Sequence, residues 1–360
     1  MPFKTTIRDI ADQLGLTPAT VSRALHNHPR ISQETKRLVF ETAKKLDYRK
    51  NKIASSVRTG RSDTIGVIIP SARINFFGSV VHGIETLASQ HGYHTIIYQS
   101  DESTALEVKA IEAFLGARVD GILASLAKEE SDFEHYADLR TSNIPLVLFD
   151  RFVDSLNIPA VVIDDHRGAF CATEHLILQG YKRIAHMAGP QRFQTFQNRQ
   201  QGYLDALKAY GLAPDESLVY TGDISIEAGK TAAAYFMSLP NPPDAVFAVE
   251  DFSALGLLKG FKERKISIPE DVGIIGFANE SFDEHITPTL SSIDQQTVQM
   301  GKEAFNMLLR LIEGKPTASR IVLDPVPFYR ESSRKSDLLA TSRPFLKNQK
   351  NTSKKLNVRL

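Results

Sequence analysis

TIRDIADQLGLTPATVSRAL, residues 6–25, reads as two short helices joined by a tight turn. Thr6 is placed to cap the first helix, and Asp9, three residues on, to return a bond to the cap backbone. Ile7, Ile10, Ala11 and Leu14 fall on one helical stripe, where small Ala11 lets a second helix cross closely. Gly15 supplies the turn. Thr17 caps the second helix, Pro18 stands at its first position, where a missing N–H costs nothing, and Val21, Ala24 and Leu25 point back inward. That leaves Pro18, Ala19, Thr20, Ser22 and Arg23 on the free face. Small groups, hydroxyls and one arginine suit the major groove of DNA, because arginine reads guanine bidentately and apolar groups touch the thymine methyl. With the capping residues Thr6 and Thr17, and Asn27 and Arg30 from the loop beyond, these are the expected DNA contacts of the head.

A third helix is expected from Ser32, the cap after Pro29, with Leu38, Val39, Ala43 and Leu46 as its inner stripe. Residues 1–60 carry 12 Lys and Arg against 5 Asp and Glu, a net charge of +7 that matches the footprint of a phosphate-contacting unit. The last 30 residues, with 8 basic and 2 acidic side chains, are polar and lack an apolar stripe; they read as a solvated basic tail. Since the 360-residue chain totals only +1, residues 61–330 hold −12. An acidic body between basic ends keeps DNA contact to the head.

The order of the motifs is specific. TIRDIADQLGLTPATVSRALHNHPRISQETKRLVFETAKKLDYRKN is followed by TIGVIIP (64–70), INFFGSVVHGIE (74–85), VLFDR (147–151), HLILQGYKRIAHMAG (175–189), RQQGYLDAL (199–207) and PEDVGIIGF (269–277). The chain thereby resembles the LacI/GalR (lactose-repressor) family of bacterial transcriptional regulators over residues 5–330. The resemblance implies an N-terminal all-α helix-turn-helix head plus an α/β two-lobed periplasmic-binding-protein-like (type I) body with parallel sheets. The head is expected at 1–48, a hinge at 49–62, the body at 63–330 and the tail at 331–360. Lobe 1 takes 63–162 plus 294–330, and lobe 2 takes 163–293. Family members order a short hinge helix on the operator and wedge an apolar residue into the minor groove, unstacking a base step in exchange for a bent duplex. Val57 occupies that place, with Ala54 and Ile53 beside it, and Asn51 is a further expected DNA contact. Lys50 stands where the family usually has proline, and Val57 is shorter than the usual leucine.

Periodicity in the body supports alternating strands and helices. Strands are expected at 64–70, 95–99, 121–124, 146–149 and 161–163, then at 183–187, 218–220, 245–248 and 273–276. Helices are expected at 78–91, 105–117 and 133–141, then at 167–179, 197–210, 228–238 and 254–264. The resemblance implies a return to lobe 1 through 291–294, a helix at 298–313 and a strand at 321–323. Ligands of open α/β sheets bind beyond the carboxyl ends of the strands. Candidate effector residues are therefore Asn75, Phe76 and Phe77 after the first strand, with rings for stacking, and Asp150 and Arg151 after the fourth, able to grip hydroxyls or an anion. Arg199 matches the family arginine that reaches the ligand, and Gln295 follows the third crossover. Glu250 replaces a common asparagine, and Ala278, followed by Asn279, replaces the usual aspartate, so no particular sugar is carried over.

Enzyme signatures, GxSxG, HExxH, GxxxxGK[ST] and GxGxxG, are absent, and a non-enzyme with no cofactor and no metal is expected. His26-Asn27-His28 lacks further ligands at metal spacing. The single Cys171 excludes an internal disulfide, and its setting, GAFCATEHLIL (168–178), is that of an inert thiol. No apolar run approaches the ~18 residues of a membrane span and no signal-peptide core precedes the head, which suits the cytoplasm. The expected partners are a pseudo-palindromic double-stranded DNA operator, a sugar-like or nucleoside-like effector, and a second copy in a homodimer. Two alternatives stand beside this reading: a family regulator controlled by a protein co-regulator, and a ligand-binding or transport module.

Overall fold

The computed structural model describes residues 5–48, 61–129 and 133–335, in two units, Met1–Ser62 and Asp63–Leu360. Lys50, Asn51, Ala54 and Val57 of the hinge, and the tail beyond residue 335, lie outside the described residues.

In the head, α1 (Ile7–Leu14), α2 (Pro18–Leu25) and α3 (Gln33–Lys45) pack around Ile10, Ala11, Val21, Ala24, Val39 and Ala43. The local chemistry places each boundary. The Thr6 hydroxyl accepts the Asp9 N–H at 3.4 Å, while Asp9 Oδ2 takes the Thr6 N–H at 2.7 Å and holds its carboxyl below the usual range. Gly15 ends α1 at φ +63°, a left-handed conformation open to glycine at no steric cost. Thr17 and Ser32 cap α2 and α3. One expectation is corrected. Leu38 is 41% exposed, because the buried face of α3 runs through Lys36, Val39 and Ala43. Lys36 holds that inner position by burying its alkyl stem while its ammonium reaches the Asn27 carbonyl at 3.4 Å.

The body has two parallel sheets. Six strands, β1 (Thr64–Ile69), β2 (His94–Gln99), β3 (Gly121–Ala124), β4 (Leu146–Phe149), β5 (Ala160–Ile163) and β11 (Arg320–Leu323), lie in the order β11-β5-β4-β3-β1-β2. Four more, β6 (Ile184–Ala188), β7 (Val219–Thr221), β8 (Ala245–Ala248) and β9 (Gly273–Ile275), lie in the order β7-β6-β8-β9. Helices α4 (Asn75–Gln90), α5 (Thr104–Ala117) and α6 (Glu134–Asp138) serve the first lobe; α7 (Asp165–Leu178), α8 (Gln194–Ala209), α9 (Ile226–Ser238) and α10 (Asp251–Glu263) serve the second. Parallel pairing buries both faces of a sheet, and β3, β4, β5 and β8 are buried along their whole length.

From the second lobe the chain crosses back to the first sheet. β10 (Ser292–Asp294) leads into α11 (Thr297–Ile312), which packs on α4, and β11 joins the first sheet beside β5. A further strand, β12 (Val326–Phe328), pairs antiparallel with β10 and carries the chain across once more. The packed body runs past 330. Ser332 and Ser333 are buried, Ser332 Oγ donates to the Ile274 carbonyl at 2.7 Å, and Tyr329 stacks on His175 with centroids 3.8 Å apart. Cys171 is half-buried, and burial pushes its thiol up, away from the reactive thiolate.

Candidate functional site

On the head, α2 exposes Pro18, Ala19 and Arg23, with Thr20 and Ser22 half-buried beside them. Thr17 Oγ1 accepts the Thr20 N–H at 3.2 Å and shares a 2.9 Å bond with the Thr20 hydroxyl, so capping and the free face use the same pair of threonines. Thr6 is exposed, but its hydroxyl is engaged with Asp9. Asn27, at φ +52°, and Arg30 stand exposed in the loop after α2. Asn51, Ala54 and Val57 lie outside the described residues.

In the body, a cleft of about 330 Å³ opens beyond the carboxyl ends of the strands of both lobes. Its anchor is Arg199 on α8, 3% exposed. Nε donates to Asp165 Oδ1 at 2.8 Å, Nη1 to the Val249 carbonyl at 2.7 Å and Nη2 to Gln295 Oε1 at 3.2 Å, and the guanidinium lies 3.7 Å over the Phe277 ring. Gly202, three residues on, lets this happen, because a Cβ there would stand 2.2 Å from the His166 carbonyl and push α8 off α7. Burial raises the Asp165 carboxyl to about 6, with the Arg199 charge pulling it back.

Asp150 follows β4 at φ +63° and accepts the Ser125 hydroxyl at 3.2 Å; burial raises its carboxyl, while Arg151 and Arg199 lower it. Arg151 lines the cleft but is spent on structure. It grips Glu102 through Nη1 at 2.7 Å and Nη2 at 3.1 Å, and lies between the rings of Phe77 in one lobe and Phe193 in the other. Phe76 and Phe77 meet edge to face at 5.1 Å and both reach the cleft wall. Glu250 caps α10, accepting the Phe252 N–H at 2.9 Å and the Ser253 N–H at 3.3 Å. Burial and the neighbouring Asp251 carboxylate push it up to about 8. Ala278 lines the cleft at φ +147°, and with Asp150, Asn279 and Gln296 it makes four non-glycine residues of positive φ in the loops around the site, the kind of strain that packed sites retain.

Two expected residues stand outside the wall. Asn75 is the first residue of α4, a helix that begins three residues earlier than periodicity indicates, and its amide is drawn to the Glu280 carboxyl together with the Phe76 N–H. Asn279 is held by Asp294 at 3.0 Å and Arg330 at 2.7 Å, which turns it into the crossover network. The sequence reading missed Arg73, Ile74 and Lys128 in lobe 1, and Thr195, Phe196, Ile224, Ser225, Ile226, Phe252 and Glu280 in lobe 2. The strand-end rule could have found most of them. Lys128 follows β3, Thr195 and Phe196 open the helix after β6, Ser225 caps the helix after β7, and Phe252 opens the helix after β8.

The family model for bacterial regulatory proteins of the lacI family matches residues 6–51, and that for periplasmic binding proteins and the sugar binding domain of the LacI family matches residues 62–332. The chain belongs to the LacI family. It is 34% identical over 314 residues to the HTH-type transcriptional repressor CytR of Escherichia coli (strain K12), spanning 87% of this chain and 92% of that one. It is 32% identical over 324 residues to Catabolite control protein A of Priestia megaterium, spanning 90% and 97%. The fold matches the lac repressor dimer bound to operator and the anti-inducer ONPF, with a TM-score of 0.84 at 22% identity over 92% of this chain and 100% of that one. This LacI-family member is a DNA-binding transcriptional regulator with a ligand-binding body, and the relatives are regulators rather than enzymes. Among the described residues, no group of three His, Cys, Asp or Glu side chains is arranged to hold a metal, and no helix is long and apolar enough to cross a membrane.

Proposed function

We propose that the chain acts in the cytoplasm as a homodimeric repressor. Each head reads one half of a pseudo-palindromic operator through Arg23 and the small face of α2, and a neutral, hydroxyl-rich effector in the body cleft changes operator affinity. The observation that carries this reading is the cleft itself. Arg199, Gln295 and Asp150 converge on one end, while Phe76, Phe196 and Phe252 offer rings at its wall, the pairing of polar anchors and flat apolar faces that suits a sugar or a nucleoside. Two-fold symmetry of the body would match that of the operator.

The test has two arms. A thermal-shift screen of sugars, nucleosides and their phosphates against the full chain should return a ligand that raises the melting temperature. The same ligand should then change operator affinity measured by fluorescence anisotropy. Operator binding itself should weaken steeply with salt, since several phosphates are neutralised together. A salt-independent affinity would remove the head assignment, and a stabilising ligand without effect on DNA binding would leave a binding module without a switch.

A further inference from the structure

Glu250 sits in the cleft wall in unusual company. Both N–H bonds it accepts fall on Oε2, and Oε1 takes part in neither. The charges that act most strongly on it, Asp251 and Glu280, share its sign. Asp251, next on α10, is fully buried against the Ser292 hydroxyl at 2.8 Å and the Glu280 N–H at 3.0 Å. Glu280, from the loop after β9, lines the same cleft, and Asp283 lies fully buried against Asp251. Burial and the neighbouring Asp251 charge push the Asp283 carboxyl up, so it is the more readily protonated of the two.

The cations are committed elsewhere. Arg199 belongs to Asp165, and Arg330 turns to Glu284 at 2.9 Å and to Asp283 at 3.8 Å. Arg151 belongs to Glu102, and Arg73 stands exposed at the edge of the cleft. Lys128, from the loop after β3, faces Glu250 but is shared with Glu102 and Asp223, and burial lowers its own charge affinity. Asp150 adds a further carboxyl to the wall.

We propose that Glu250 stands in the cleft as a neutral carboxylic acid and donates its proton in a hydrogen bond to the effector. The site then accepts a carbonyl, ring or hydroxyl oxygen at a place where an ionised carboxylate would demand a donor. This rests on the cleft being the effector site. The shift of Glu250 to about 8 supports it, and the sign follows: the acid persists below that pH, so effector affinity is full at neutral pH and is lost as pH rises through it. Between about pH 6.5 and pH 9 the loss should be on the order of tenfold.

Two measurements test the proposal on the full chain. The infrared difference spectrum, wild type minus Glu250→Gln, should show a protonated carboxyl stretch at about pH 6.5 that gives way to carboxylate bands above pH 9. Asp283→Asn should remove the acid band of the buried pair and leave that of Glu250. Carboxylate bands from Glu250 at the lower pH would overturn the proposal. So would failure of Glu250→Gln to fold, because the amide has the shape of the neutral acid and can accept the same two N–H bonds. Calorimetry with D-ribose, D-glucose and uridine as probes should show wild-type affinity falling with pH and Glu250→Gln affinity flat. A flat wild-type profile would refute the donor role. Absence of binding by all three would count against the effector reading of the cleft, while the infrared result still decides the state of Glu250.

Discussion

The head and the cleft are built by different kinds of bond. In the head, the decisive contacts join residues three apart, Thr6 with Asp9, Thr17 with Thr20 and Ser32 with Thr35. In the cleft, Arg199 reaches Asp165 across 34 positions of sequence, Val249 across 50 and Gln295 across 96. The first kind tolerates loss, because water can replace one exposed cap. The second does not, since it buries charge between elements far apart in the chain.

Arg199→Ala should be the most damaging. It leaves the Asp165 carboxyl, 3% exposed, without its cation and strips the Val249 carbonyl of a donor, a loss of about 3 to 5 kcal/mol. Chemical denaturation of the body should show a markedly lower midpoint, with effector binding abolished. A variant as stable as wild type would show that the pair is dispensable, and the contrast with the head would collapse.

A buried histidine gives the next effect. His186 on β6 is fully buried, shares a 3.0 Å bond with the Phe247 carbonyl and stacks between Tyr203 and Phe247; burial holds it down to about 4. The folded state therefore refuses a proton that the unfolded chain accepts near its ordinary 6.5, so stability is lost as pH falls from 6.5 towards 4, by about 3 kcal/mol for this group. Asp165 and Glu250, raised on folding, act in the opposite sense and gain stability as pH falls through about 6 and about 8. The histidine contribution is thus read as the difference between wild type and His186→Gln in urea titrations across that range. A difference independent of pH would mean that His186 titrates alike in both states.

The same contrast explains how much the sequence could tell. The three head helices, their caps and the Gly15 turn were legible because each depends on neighbours within one helical turn. The order of body strands and helices was legible because apolar runs alternate with amphipathic stretches. Leu38 was misplaced because an alkyl stem fills the inner face of α3: Lys36 looks polar in a pattern yet packs as an apolar side chain once its ammonium finds the Asn27 carbonyl. Chain position alone points Asn75 and Asn279 to the cleft, and it cannot show that Glu280, Asp294 and Arg330 claim their side chains. The strand β12 was invisible because its exposed three residues carry no signal until β10 lies beside them.

On the DNA side, Arg23→Ala should cost about 1 to 3 kcal/mol on the cognate operator and relax base preference, if its guanidinium reads guanine bidentately. Arg23 is exposed, so its removal should leave folding intact and isolate recognition from stability. Competition binding on single-base operator variants checks this. Equal losses on cognate and random duplexes would reduce Arg23 to a phosphate contact.

Thr17→Ala should have the smallest effect. Its hydroxyl accepts the Thr20 N–H at 3.2 Å in an exposed first turn, and losing such a cap costs about 1 kcal/mol. Pro18 still fixes the start of α2, and Val21 and Ala24 still bury its inner face, so the helix should persist with a looser first turn. Hydrogen exchange on the full chain should therefore speed up at amides of the head only. The body, from Asp63 onward a separate unit, should keep its protection and its midpoint. Thr20 shares the capping bond and stands on the free face of α2 that is proposed to read the operator, so operator affinity should fall slightly as its hydroxyl loses a fixed orientation. Faster exchange in the body as well would mean that the two units are energetically coupled, and that a cap of three-residue reach acts on the long-range network it was set against.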